Sequence, residues 1–167
     1  MAVKSLIETV TVGAGGAASI EFAAIPQEAG SDLVLVLSGR SSGGNASLSV
    51  SLNSDTTDAN YDRKVLFGTG SSVGNLSGSF RPFLYIVTST ATANTFGNSS
   101  VYISNYAGAT NKSMSVDIVQ ENNATASNQA ITANLWNNTA AVTSVTLSGS
   151  LDVAEYTTAS LFKIKYD

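Results

Sequence analysis

The chain has 167 residues, no cysteine, no histidine, a net charge of −4 and only 12% charged residues. This length fits one domain, 1–167, and the missing residue types exclude disulfides, thiolate nucleophiles and the commonest general base and transition-metal ligands. The basic residues are scattered from Lys4 to Lys165, so the phosphate-binding cluster of a nucleic-acid-binding protein is absent and we expect no nucleic-acid partner.

The N-terminal segment 1–12, "MAVKSLIETVTV", alternates apolar and polar residues from its start. It lacks the continuous apolar stretch of 7–15 residues that a signal peptide needs. The most apolar run, "LVLVL" at 33–37, is far shorter than the roughly 20 residues that cross a bilayer. We therefore expect a protein that is made in the cytoplasm and has no membrane partner.

A period of two in apolar residues recurs along the chain. It is clearest at 46–53, where Leu48, Val50 and Leu52 share one face, and at 113–121, where Met114 and Val116 point inward. Strands are predicted, in chain order, at 6–12, 19–23, 33–37, 46–53, 63–67, 82–87, 100–107, 113–121, 130–136, 144–148 and 160–167. The pattern predicts an all-β fold, a single antiparallel β-sandwich of jelly-roll type with about ten strands and long polar loops.

The two glycine-rich segments, 12–17 and 68–78, read as flexible connections between strands. Neither ends in the Gly-Lys-Ser/Thr of a phosphate-binding loop, and neither precedes a predicted helix.

The run at 33–37 is apolar at every position and is bounded by turn residues on both sides. Such a run predicts a strand that is buried on both faces. The outer face of a two-layer sandwich normally contacts water, so we expect a loop of the same chain or a neighbouring subunit to cover this strand. Leu33, Leu35 and Leu37 are therefore candidate interface residues, and the N-terminal segment 1–10 is a second candidate contact.

The segment "NSDTTDANYD" at 53–62 offers the side-chain oxygens of Asn53, Asp55, Asp58 and Asp62. Oxygen ligands suit Ca²⁺, but the spacing matches no EF-hand. Asn and Asp also close turns on their own backbone, and that is the favoured interpretation. We expect no metal and no cofactor.

Two carboxylate pairs, Asp55 with Asp58 and Asp152 with Glu155, are close enough in sequence to be considered as glycosidase residues. Their neighbours are small and polar, so nothing around them indicates a raised pKa. The sequence therefore predicts that the protein is not an enzyme.

The aromatic residues allow two interpretations. If Ile131, Ala133 and Leu135 point inward, then Trp136 points outward; likewise Tyr102 and Tyr106 lie opposite Val101 and Ile103. An exposed Trp can stack on a sugar ring or anchor an interface, whereas a Trp at a strand end can cap the core with its N–H bonded to a carbonyl. Both interpretations of the Trp stay open, and the one that places it in an interface is preferred. The candidate interface residues are Leu33, Leu35, Leu37, Tyr102, Tyr106 and Trp136.

Several segments resemble one protein family: "IPQ" at 25–27, "DLVLVLSGRS" at 32–41, "NSD" at 53–55, Tyr61, "VYISNYAGATNKS" at 101–113 and "ASLFKIKYD" at 159–167. They are similar to small virion structural proteins of tailed bacteriophages, especially cyanophages and other phages of marine and freshwater bacteria. Lys163 stands where that family more often has glycine. Members are capsid decoration proteins or domains of tail and fibre proteins, so the resemblance implies a jelly-roll-like virion component without catalytic residues.

The resemblance, with the low charge, predicts a capsid decoration protein located in the virion. Its partners would be the major capsid protein or other virion proteins and copies of itself, with a trimer favoured because capsids offer threefold sites. The alternative is a tail or fibre component whose β-sandwich binds a carbohydrate receptor.

Overall fold

The computed structural model describes residues 1–44, 47–70, 72–121 and 127–166. Within these residues the protein is all-β, with twelve strands and one short 3₁₀ turn, Asp58–Asn60. The strands are β1 (Ala2–Thr11), β2 (Ala17–Phe22), β3 (Ser31–Gly39), β4 (Ser47–Leu52), β5 (Tyr61–Thr69), β6 (Ser72–Gly78), β7 (Phe83–Tyr85), β8 (Gly97–Ile103), β9 (Lys112–Glu121), β10 (Ser127–Trp136), β11 (Val145–Val153) and β12 (Thr158–Tyr166). No helix in this part of the chain is long and apolar enough to cross a membrane.

The strands form two antiparallel sheets. The larger has eight strands in the order β1-β12-β3-β8-β9-β10-β5-β6, and the smaller has four in the order β2-β11-β4-β7. The predicted all-β class and antiparallel sandwich are thus confirmed, although the described ranges hold twelve strands and not about ten.

The strand pairs are nested along the chain. The first strand pairs with the last, β2 pairs with β11, β3 with β8, and β4 with β7. Two further hairpins interrupt this scheme: β5–β6 follows β4, and β9–β10 follows β8. Both hairpins join the larger sheet beyond β8, so β9, β10, β5 and β6 extend it on one side.

One hydrophobic cluster between the sheets forms the core. Alternation places Leu48, Val50 and Leu52 inward on β4 and Met114 and Val116 inward on β9, as predicted. The larger sheet adds Leu33, Leu35, Leu37, Val101 and Ile103, and the smaller adds Ile20, Phe22, Val145 and Leu147. Continuous apolar burial of this kind is the main term that stabilises a domain of this size.

The strand at 33–37 is not covered by another described part of its own chain. Its leucines lie in the core, but Val34 on the outer face is half-buried and Val36 is 36% exposed. Valine suits a pleated surface even when water reaches it, because its branched side chain packs against neighbours on the same face. The chain thus supplies no cover of its own, and cover by a neighbouring subunit stays a prediction.

Strand β6 was not predicted, since its sequence "SVGNLSG" looks like a connection. It exists because all seven residues pair in unbroken register with β5. With two glycines and only one β-branched residue, the segment has little intrinsic preference for a strand. Its strand conformation is therefore stabilised by the pairing with β5.

Candidate binding surface

Trp136 lies inside the protein, not on its surface. Only 1% of it is exposed, its ring stacks on Tyr61 at a centroid distance of 6.3 Å, and its indole N–H donates to Asp55 Oδ2 at 2.8 Å. The predicted outward position is wrong because the two faces of β10 were assigned the wrong way round. The alternative interpretation, a Trp that caps the core, is the observed one, although the N–H donates to the Asp55 carboxylate and not to a carbonyl.

Asp55 organises the acidic loop. Its carboxylate accepts hydrogen bonds from the Thr57 backbone N–H at 3.0 Å and from Asn60 Nδ2 at 2.9 Å, in addition to Trp136. Burial by itself would raise the pKa of Asp55, but these hydrogen bonds to the charged form outweigh it and lower the pKa. The bond to Thr57 is an Asx turn, which confirms the favoured interpretation of this loop.

The other members of the loop are also engaged. Asp58 accepts from Arg81 Nε at 2.9 Å, and that hydrogen bond lowers the pKa of Asp58. Asp55 and Asp58 are therefore ionised at neutral pH, and neither can act as a general acid there. Among the residues of the described ranges, no three His, Cys, Asp or Glu side chains gather as metal ligands would.

The two candidate tyrosines, Tyr102 and Tyr106, lie in different environments. Tyr106 is fully buried, and its hydroxyl donates to the Pro26 carbonyl. Tyr102 lies on the outer face of β8, where its hydroxyl donates to Asp32 and lies 2.8 Å from the hydroxyl of Tyr166. Burial and then the bond to Asp32 raise the pKa of Tyr102. Of the six candidate interface residues, Tyr102 is the one that the structure places at the surface; Leu33, Leu35, Leu37, Tyr106 and Trp136 lie in the core.

Along residues 131–135, strand β10 turns its more apolar side chains to solvent, although Ala130 and Trp136 on its inner face are buried. Its inner face carries Thr132 and Asn134, both buried, and the Asn134 amide donates to the Thr132 hydroxyl at 2.6 Å. Its outer face carries Ile131, 58% exposed, together with Leu135 and Ala133. Placing Ile and Leu outside while Thr and Asn are inside costs free energy in an isolated chain. The outer face of β10 is therefore an exposed apolar surface, of the kind that stands out on a soluble protein.

A groove lies on that outer face and crosses five neighbouring strands. It has a volume of about 820 Å³ and is lined by residues 64–66 of β5, 75–77 of β6, 115–117 of β9, 131–133 of β10, and Ser100 and Tyr102 of β8. Four strand spacings separate β8 from β6, which gives a width of about 19 Å. A second cavity of about 540 Å³ continues it and shares Leu66, Asn75 and Ile131. We call the two together the outer groove.

The outer groove has an apolar centre set among polar and charged side chains. At its centre Leu66 of β5 and Ile131 of β10 lie directly opposite each other, and Asp117 of β9 follows in the same row. In the next row Lys64 stands beside Ala133, and its Nζ lies 3.4 Å from an exposed Asp62 oxygen. Such a surface can bury apolar groups from a partner, while the amide, hydroxyl and charged groups fix orientation at the margin.

The groove could not be read from the sequence. Its residues come from strands between positions 64 and 133, and only the order β8-β9-β10-β5-β6 brings them together. The signal that pointed to it was the pair Ile131 and Leu135, which alternation assigned to the core.

Comparison of the chain with protein-family models, with curated proteins and with solved structures finds no match. The resemblance to phage virion proteins therefore has no support from these comparisons and stays an expectation based on short segments.

Proposed function

We propose that the protein is a non-enzymatic structural component of a phage virion, in the first place a capsid decoration protein that binds the assembled head shell and copies of itself. The observation that carries the binding role is the inverted face of β10, which exposes Ile131 and Leu135 while Thr132 and Asn134 are buried. An exposed groove with Leu66 and Ile131 at its centre supports this role, because an adhesive subunit needs apolar surface to bury on contact.

The fold proposal is a jelly roll. The nested pairs β1–β12, β2–β11, β3–β8 and β4–β7 give two four-stranded layers, β1-β12-β3-β8 and β2-β11-β4-β7. Two interleaved layers of four strands agree with a jelly-roll core, an architecture common among viral capsid proteins. The hairpins β5–β6 and β9–β10 are then additions to that core, and they form most of the outer groove. The binding surface is thus an elaboration of a structural scaffold.

The proposed mechanism is adhesion that favours the assembled state. Leu66 and Ile131 are 60% and 58% exposed, and complete burial of such a side chain contributes about 1.5–3 kcal/mol, so each would add about 1–2 kcal/mol on contact. A ligand that binds only the assembled shell stabilises it by mass action. The low charge of the chain reduces repulsion between neighbouring copies on the shell.

The test is co-sedimentation of the purified protein with expanded, undecorated shells of the phage that encodes it. Wild type should bind saturably at a fixed ratio to the major capsid protein. Ile131→Asp puts a charge into the outer groove and should weaken binding by at least tenfold. The matched control is Leu151→Asp on β11 of the smaller sheet, which is 41% exposed, lies outside the outer groove and should bind as wild type does. Equal binding by all three proteins, or none by any, contradicts the proposal.

A second candidate is a tail or fibre component that binds a carbohydrate receptor. Tyr102, Asn75 and Asp117 line the same groove, and an aromatic ring with amide and carboxylate groups suits a sugar. Trp136 is not available for stacking, so the prediction moves to Tyr102. A glycan array would show binding that Tyr102→Ala abolishes, and in that case the shells should not sediment the protein.

A further inference from the structure

The two sheets have four open edges, and three of them are protected from pairing with another chain. Strand β1 carries Lys4 and Glu8 and has a β-bulge between Leu6 and Glu8. The charged Glu21 lies on the six-residue β2, and β7 has only three residues and follows Pro82. Charges, bulges, short length and proline are the devices by which natural sheets avoid edge pairing.

The fourth edge, β6, has none of these devices. Its seven residues include no charge and no proline, and the register with β5 is unbroken. Apolar side chains are exposed on both of its faces, with Val73 90% and Leu76 53% exposed. No other strand within the described ranges lies beyond it. A long, uncharged and partly apolar edge is a template for a further strand.

We propose that β6 is a dimerisation edge, on which the β6 strand of a second copy pairs antiparallel about a twofold axis at Asn75. Two observations favour a second copy over a different protein. The strand is uncharged, so two copies of an acidic chain meet there without like charges facing each other. Pairing centred on Asn75, the middle of Ser72–Gly78, also uses all seven residues of both strands.

In this register, the side chains on the inner side of β6 fit against those of the β6 strand in the second copy. The ring of Phe67 lies directly over Gly74, since a Cβ at that glycine would approach Phe67 Cζ to 2.6 Å. With Asn75 on the axis, Gly74 faces Leu76 of the second copy, which packs against the edge of the Phe67 ring. A large side chain beside a glycine and an aromatic ring is a favourable cross-strand arrangement.

The outer side of β6 joins the two outer grooves. Asn75 lies opposite Leu66 in β5 and lines the groove, so on the twofold axis the two Asn75 amides face each other between two Leu66 side chains. The sheet would continue through sixteen strands, twice the eight of one chain. A twofold pair closes on itself, which an open head-to-tail arrangement does not.

Light scattering on the purified protein tests the pairing without any shell, so its outcome is independent of the shell-binding proposal. We expect a mass twice the 17.1 kDa of one chain. Asn75→Lys, which puts two ammonium groups face to face on the axis, should return the mass to that of a monomer with an unchanged far-UV circular dichroism spectrum. A monomeric wild type, or the trimer that shell symmetry favours, overturns the proposal.

A cysteine crosslink tests the register, because the chain has no cysteine of its own. Opposed residues in an antiparallel pair have Cα atoms about 4.5–5.5 Å apart, within the range that a disulfide bridges. Asn75→Cys should therefore give a covalent dimer under mild oxidation. Ser72→Cys, whose two copies would lie about 20 Å apart, and Ser5→Cys on β1 should stay monomeric on a non-reducing gel. A crosslink at Ser72 or Ser5 with none at Asn75 contradicts the proposal.

Discussion

The hydrogen bond from Trp136 to Asp55 can be tested by replacing the indole with a ring that lacks the N–H. Trp136→Phe keeps the stacking partner of Tyr61 but removes the donor that lies 2.8 Å from Asp55 Oδ2. A hydrogen bond to a charged group contributes about 1.5–3 kcal/mol, and the lower end applies here because Asp55 is partly exposed. Lost packing adds about 1 kcal/mol, so the free energy of unfolding should fall by about 2.5 kcal/mol.

The assay is urea unfolding followed by circular dichroism, carried out as a double-mutant cycle with Asp55→Ala. At pH 7 the coupling free energy between the two side chains should be about 1.5 kcal/mol, the value of the lost hydrogen bond. The pKa of Asp55 is lower in the folded than in the unfolded chain. The coupling is therefore complete above the unfolded pKa of about 3.9 and declines as the pH falls through the folded-state pKa.

Two results would refute this reasoning. One is a coupling below about 0.5 kcal/mol at pH 7, which is within the usual error of additivity. The other is a coupling that stays unchanged when the pH is lowered, since protonated Asp55 no longer offers a charged acceptor.

Three further perturbations have defined outcomes. Glu28→Gln removes the ion pairs, first of all the one with Lys163, that hold the pKa of Glu28 at about 2. Wild type should lose the stabilisation from these ion pairs as the pH falls from about 4.5 towards 2. The free energy of unfolding of the variant should not show this decrease over the same pH range. Arg40→Lys removes a guanidinium that donates to four backbone carbonyls of the loop at 89–95, so amide hydrogen exchange there should accelerate about tenfold, and unchanged exchange contradicts the role. Gly39→Ala places a Cβ 2.4 Å from Ile86 and should destabilise by about 1–3 kcal/mol, whereas Gly13→Ala, with open space around it, should cost under about 0.5 kcal/mol.

Alternation predicted the core strands because their two faces differ in polarity. On β4 the inward Leu48, Val50 and Leu52 alternate with serines on the opposite face, so the period of two is enough to identify the buried face. The same rule failed on β10, where the outward Ile131 and Leu135 are more apolar than the inward Thr132 and Asn134. An exposed face with the polarity of a core cannot be told from a buried face by sequence pattern alone.

Long-range pairing accounts for the other differences. Strand β6 is formed by its register with β5, and glycines such as Gly74 conceal it in the sequence. The acidic loop was interpreted correctly as a turn because Asx turns are local. Its bond to Trp136 joins residues 81 positions apart, which no local pattern encodes.

Thiol labelling of Ile131→Cys on shell-bound protein tests most directly whether the outer groove is the binding surface. The side chain is exposed in the free chain, so a small maleimide should react quickly. Undecorated shells at saturation should slow that reaction at least tenfold, while Leu151→Cys on β11 of the smaller sheet, also exposed in the free chain, keeps its rate. If the shells bind the protein but Ile131→Cys reacts as fast as before, the groove is not the contact and the account given for β10 is wrong.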